Sequence, residues 1–132
     1  MLIGQLADRA AVPARTIRFY ERRGLLPEPR RAANGYRVYD ETALGRLRFI
    51  RSAQAAGLTL AEIGTIIDVR DEGIAPCTHV GTLLDAKLRE VSERRRQLAA
   101  LEAELVRLAE RSRLLDPADC TEDDICHILR TR

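Results

Sequence analysis

No stretch of the 132 residues approaches the roughly 20 consecutive apolar positions of a membrane-spanning helix. Residues 1–8 carry neither a basic segment nor an extended apolar run, so no secretory signal is expected and the expected compartment is the cytoplasm. Cysteine is scarce: Cys77, Cys120 and Cys126 are the whole supply. In a reducing compartment three thiols point to metal binding or redox chemistry rather than a disulfide framework. An iron–sulfur cluster normally takes four cysteines, so it is disfavoured. No motif supplies the pocket and general base that a metal-dependent hydrolase needs beside its three ligands and open position, so an enzyme is not expected.

Net charge is also small, at +2, but it is unevenly spread. Residues 1–54 hold eleven Arg against five acids, a net of +6, while residues 114–132 hold two Arg against five acids, a net of −3. A basic head implies a polyanionic partner. With 45% hydrophobic and 32% charged residues, the chain reads as a globular domain with an appendage.

The appendage is a run from Thr78 to Arg113 with no Pro and only Gly81. Leu84, Val91, Leu98 and Leu105 recur every seventh residue, and Val80, Leu88, Leu101 and Leu108 fall between them. This is the narrow stripe of a coiled coil, with Arg and Glu on the other faces. Such a helix is roughly 50 Å long, more than the short neighbouring segments can cover, so a second copy is the expected partner.

The basic head divides further. Ile3 to Ala10 reads as a short helix, Ala11-Val12-Pro13 breaks it, and Ala14 to Arg23 reads as a second helix closed by Gly24. Ile17 with Tyr20 or Phe19 forms its apolar face, and Arg15, Thr16, Arg18, Arg22 and Arg23 crowd the remainder. Two short helices and a tight turn match a helix-turn-helix, whose second helix enters the major groove. Asn34-Gly35 then signals a hairpin turn, flanked by Arg30 and Arg31 on one side and Tyr36, Arg37 and Tyr39 on the other. Arginines and tyrosine hydroxyls donate to phosphate oxygens, which fits a DNA-contacting wing. Asp40 to Ala56 and Leu60 to about Val69 read as two further helices, with Asp40 and Thr59 as N-caps.

The ordered motifs Thr16-Ile17-Arg18-Phe19-Tyr20-Glu21, Gly24-Leu25-Leu26, Asn34-Gly35-Tyr36-Arg37-Val38-Tyr39, Leu47-Arg48-Phe49-Ile50 and Gly57-Leu58-Thr59-Leu60-Ala61-Glu62-Ile63 resemble the MerR family of transcriptional regulators. The resemblance implies that Arg18 and Tyr20 contact DNA from the recognition helix and that Tyr36 and Arg37 grip the backbone from the wing. With the basic helix and hairpin residues, the candidate DNA-binding set is Arg15, Thr16, Arg18, Tyr20, Arg31, Asn34, Tyr36 and Arg37. The implied partners are a second copy of the chain, double-stranded promoter DNA and RNA polymerase, with no membrane.

The expected fold is mainly α. A winged helix-turn-helix head with linking helices (1–69) leads through a loop (70–77) to an antiparallel coiled-coil helix (78–113) and a metal-binding loop and short helix (114–132). Thr121 is the expected N-cap of that last helix, with Asp124 three residues on. Cys77 stands at the start of the long helix, and Cys120 and Cys126 lie beyond its end. About eight residues span at most about 28 Å, too little to return along the helix. In an antiparallel pair the start of one helix lies beside the end of the other, so Cys77 of one chain meets Cys120 and Cys126 of the second. The resemblance to the metal-sensing branch implies the same shared site.

Three thiolates favour a soft or borderline divalent ion: Hg, Pb, Cd or Zn. Copper and silver sensors of the family usually carry Ser where Cys77 stands, which also points to a divalent effector. Ser112 stands where mercury- and zinc-type members commonly have a cysteine, and the Cys120–Cys126 spacing is shorter than in mercury sensors. His127 and His79 are candidate nitrogen ligands, which would favour zinc or cadmium. A regulator sensing an organic ligand or oxidant is the alternative within the fold, though 132 residues leave no room for a large sensor domain. Metal storage would leave the arginine-rich wing without a purpose.

Overall fold

Ala11 sets the geometry of the first helix pair. In the computed structural model, which describes residues 1–130, Ala11 adopts a left-handed conformation with φ +54°. It ends α1 (Ile3–Ala10), and Pro13 starts α2 (Ala14–Arg22) at its N-cap. Proline suits that place because a first-turn N–H has no helical partner. Gly24, at φ +76°, then turns the chain out of α2 at little steric cost.

The wing is a two-stranded antiparallel ribbon. β1 (Arg30–Arg31) pairs with β2 (Arg37–Val38), in the register Arg30 to Val38 and Arg31 to Arg37. At its tip the Gly35 N–H donates to the Ala32 carbonyl at 2.8 Å, with Gly35 at φ +83°. Asp40 caps α3 (Glu41–Ala55) by accepting from the Ala43 N–H at 3.1 Å. Thr59 and Glu62 form a reciprocal capping box at the start of α4 (Leu60–Asp71). α5 (Cys77–Leu114) is a single helix of 38 residues.

The chain groups into two compact units, Met1–Lys87 and Leu88–Arg132. In the first, Leu6, Ile17, Leu44, Leu47, Ile50, Ile63 and Ile66 are fully buried, so α1, α2, α3 and α4 share one core. Val80 and Leu83, on the first turns of α5, pack against it. In the second unit the only buried side chain among the described residues is His127. The seam residues of α5 stand in solvent: Leu88 is 66% exposed, Val91 57%, Leu98 64%, Leu101 53% and Leu105 55%. No helix among the described residues is long and apolar enough to cross a membrane.

The segment after α5 differs from expectation. Thr121 does not cap a helix; its carbonyl accepts from the Asp124 N–H at 3.1 Å in an isolated turn. Two single 3₁₀ turns, Pro117–Asp119 and His127–Leu129, are all the regular structure among the described residues there. The reason is local. Glu122, Asp123 and Asp124 offer no apolar face, and Ile125 is fully exposed, so nothing offsets the cost of starting a helix.

Candidate DNA interface and thiol sites

The amphipathic spacing of α2 decides which side chains can meet DNA. Ile17 and Tyr20 point inward and are buried, while Arg15, Arg18 and Arg22 are exposed at steps of three and four. Thr16 is half-buried at the edge of that face. Tyr20 departs from the expected DNA set: it is 5% exposed and its hydroxyl donates to the Gln54 side chain at 3.3 Å. Its ring is part of the core, because residue 20 lies one turn beyond Ile17 on the same face.

The wing distributes its groups in a similar way. Tyr36 is 64% exposed at the tip. Asn34 spends its side-chain oxygen on the Tyr36 N–H at 3.1 Å, and the exposed Arg31 donates to the Gly35 carbonyl at 3.0 Å. Arg18 from α2 and Arg31, Tyr36 and Arg37 from the wing line one concave surface with Gln5 and Asp8 of α1. Four of the eight expected DNA residues thus converge on a single face.

Tyr39, read from sequence as a phosphate donor, is instead buried. Its hydroxyl donates to Glu21, and burial followed by that carboxylate pushes it up to about 12. Arg37 pairs with the other Glu21 oxygen at 3.2 Å. Sequence reasoning gave Glu21 no role. Strand alternation could have suggested one, since Arg37 and Tyr39 lie two residues apart and share a face.

All three cysteines are free thiols, with Cys77 exposed and Cys120 and Cys126 half-buried. His127 is 4% exposed, and neither ring nitrogen has a hydrogen-bond partner. The Arg111 guanidinium donates to the His127 carbonyl at 2.9 Å, tying the cysteine segment to the last turns of α5. His79 is already engaged, with Nε2 at 2.7 Å from the Thr65 hydroxyl. Among the described residues no three His, Cys, Asp or Glu side chains of one chain gather into a metal-holding group.

A helix-turn-helix with an arginine-bearing wing, followed by a long exposed helix, defines a class of DNA-binding regulatory protein. The chain belongs to the MerR family: the family's helix-turn-helix regulatory domain matches residues 1–69, and its "MerR, DNA binding" domain matches residues 44–108. It is 48% identical over 75 residues to a mercuric resistance operon regulatory protein of Bacillus cereus, covering 57% of each chain. It is 40% identical over 98 residues to the protein of that description from Serratia marcescens, covering 74% of this chain and 67% of that one. The matches therefore span between 57% and 67% of those relatives' lengths. A lead(II)-bound transcription regulator of Ralstonia metallidurans superposes with a TM-score of 0.78 at 40% identity, covering 98% of this chain and 96% of that one.

Proposed function

We propose that the chain is a metal-responsive transcriptional regulator. It binds a palindromic promoter as a homodimer, and a divalent heavy metal is its effector. The placement of the thiols carries this reading: Cys77 is the first residue of α5, and Cys120 and Cys126 follow its last. Thiols that do not gather within one chain are brought together by antiparallel pairing of two α5 helices. Cys77 of one chain with Cys120 and Cys126 of the other makes a thiolate set suited to Hg, Pb, Cd or Zn.

His127 supports the fit. A buried imidazole without hydrogen bonds carries a desolvation cost of about 1–3 kcal/mol that an unmet role as ligand would explain. Its ring supplies the lone pair that zinc or cadmium accepts alongside thiolates. The relatives agree in chemistry: two act in mercuric resistance by their descriptions, and the superposed regulator holds lead(II). The heads are held on α5, so effector occupancy reaches the promoter as a change in DNA distortion, read by RNA polymerase, more than as a change in affinity.

Mixed dimers test the shared site. Cys77→Ser and Cys120→Ser homodimers should each lose tight metal binding. A tagged heterodimer of the two should regain about one site per dimer, because one of its sites receives Cys77 and Cys120 from the two intact positions. Titration with mercury or cadmium reads the stoichiometry. No recovered site in the heterodimer would overturn the shared arrangement.

A further inference from the structure

Glu21 is a carboxylate at the edge of the inner face of the recognition helix, where a charge is costly unless it is paired. Its side chain is only 8% exposed. It lies in the last turn of α2, one residue after the buried Tyr20 and one turn beyond the exposed Arg18, at the border between the buried and the exposed faces. Its two oxygens go to two residues at the foot of the wing: one accepts from the Tyr39 hydroxyl, the other pairs with Arg37 at 3.2 Å. Glu21, Arg22, Glu28, Arg31 and Arg37 line a small polar cleft between the end of α2 and the wing.

We propose that Glu21 is a positioning residue for DNA binding, a strut that fixes the wing against the recognition helix so that both address one duplex. The inference rests on the DNA-binding reading of the head. Two arrangements must hold at once for the concave face to work. Arg18 is carried by a helix, whereas Arg31 and Tyr36 are carried by a ribbon with only two residues in each strand. A two-stranded ribbon that short does not hold its own direction. The Glu21 contacts supply that direction from the rigid side. Arg37 is then mainly part of the strut, with 34% of its side chain left exposed.

Electrostatics makes the claim testable, because the competing expectation has the opposite sign. If Glu21 were only an acid close to DNA, removing its charge would strengthen binding. If it is a strut, removing it weakens binding despite the lost repulsion. Tyr39→Phe separates the two further, since it changes no charge and lies in the core rather than on the DNA face.

The experiment compares the full chain with Tyr39→Phe, Glu21→Gln and Arg18→Ala on a duplex from its own upstream promoter. It is run at a temperature where calorimetry shows every variant folded. Tyr39→Phe and Glu21→Gln are expected to weaken binding about tenfold and to lower the salt slope by about one, the signature of a lost phosphate contact. Hydroxyl-radical footprinting should lose the outer, wing-side protection and keep the protection under the recognition helix. A merely structural role would lower melting temperature and leave the folded protein's footprint intact, which would overturn the proposal. Stronger binding by Glu21→Gln would do the same. Sensitivity to Arg18→Ala beside neutral Tyr39→Phe and Glu21→Gln refutes the strut alone; a duplex indifferent to Arg18→Ala refutes the DNA-face reading and the strut with it.

Discussion

Leu98 is the position at which the pairing of two α5 helices can be weighed. It sits on the heptad stripe near the middle of Cys77–Leu114, so in an antiparallel pair it lies close to the two-fold axis and meets the same region of the second chain. It is 64% exposed in the single chain, and that fraction is what pairing can remove from water. Full burial of a leucine is worth about 1.5–3 kcal/mol, so nearly two-thirds of it is about 1–2 kcal/mol per copy and about 2–4 per dimer. Leu98→Ala should therefore raise the dimer dissociation constant by roughly thirty- to a thousand-fold. Sedimentation velocity over a dilution series reads that constant directly. Arg96→Ala, two residues before Leu98 and so on the opposite side of the helix, with its side chain 76% exposed, is the control and should leave it within a few-fold. A wild-type chain that sediments as a monomer at micromolar concentration, or Leu98→Ala with an unchanged constant, would refute the assignment of the stripe to a second copy.

The head offers two further tests. Arg18→Ala should weaken promoter binding and lower its salt slope by about one, while metal binding and dimerisation persist; gel shifts across salt concentrations check this. The capping box should be acid-labile. The Thr59 N–H, and then Lys87 at 2.9 Å, hold the Glu62 carboxyl down at about 2. The unfolded chain takes up that proton first, near pH 4.3 or so, hence the contribution is full above that value and fades as pH falls towards 2. The melting-temperature gap between the wild type and Glu62→Gln should close over that window, and a gap constant from pH 5 to 2 would show that the ionised form is not what matters.

Local signals with a strong physical cause were legible in the sequence. Asn34-Gly35 forms the wing turn because Gly35 takes the positive φ, and Asp40 and Thr59 cap the helices that follow them. The apolar steps of α3 and α4 became the core, and the seven-residue stripe became one unbroken helix. Tyrosine was harder to read. Its ring favours burial and its hydroxyl favours a polar partner, so Tyr20 reads both as part of the apolar helix face and, by the resemblance, as a DNA contact, while Tyr39 reads as a surface donor in a basic head. Their partners, Gln54 and Glu21, are 34 and 18 residues away in sequence, a distance no local pattern spans. The segment from Thr121 to Cys126 carries a cap signal without an apolar face behind it. The cap alone did not make a helix.

If Cys77 belongs to the proposed metal site, the start of α5 is the route by which metal binding would reach the head. The Thr65 hydroxyl donates its one proton to the Glu62 carbonyl at 2.6 Å. The 2.7 Å contact between that hydroxyl and His79 Nε2 must then be a donation from the histidine. With Nε2 engaged by Thr65, Nδ1 is the ring nitrogen of His79 that stays clear of this contact. One turn of α4 is thus tied to α5 through His79 and again through Lys87 and Glu62, with Val80 and Leu83 packed on the core between them. These contacts lie on the same few turns as Cys77, so the end of the helix that carries the thiol is not free. Under the proposed metal site a shift of Cys77 would load the α4 contacts, and α4 contributes Ile63 and Ile66 to the core that also holds Ile17 of the recognition helix. Close-packed interiors transmit such strain rather than absorb it.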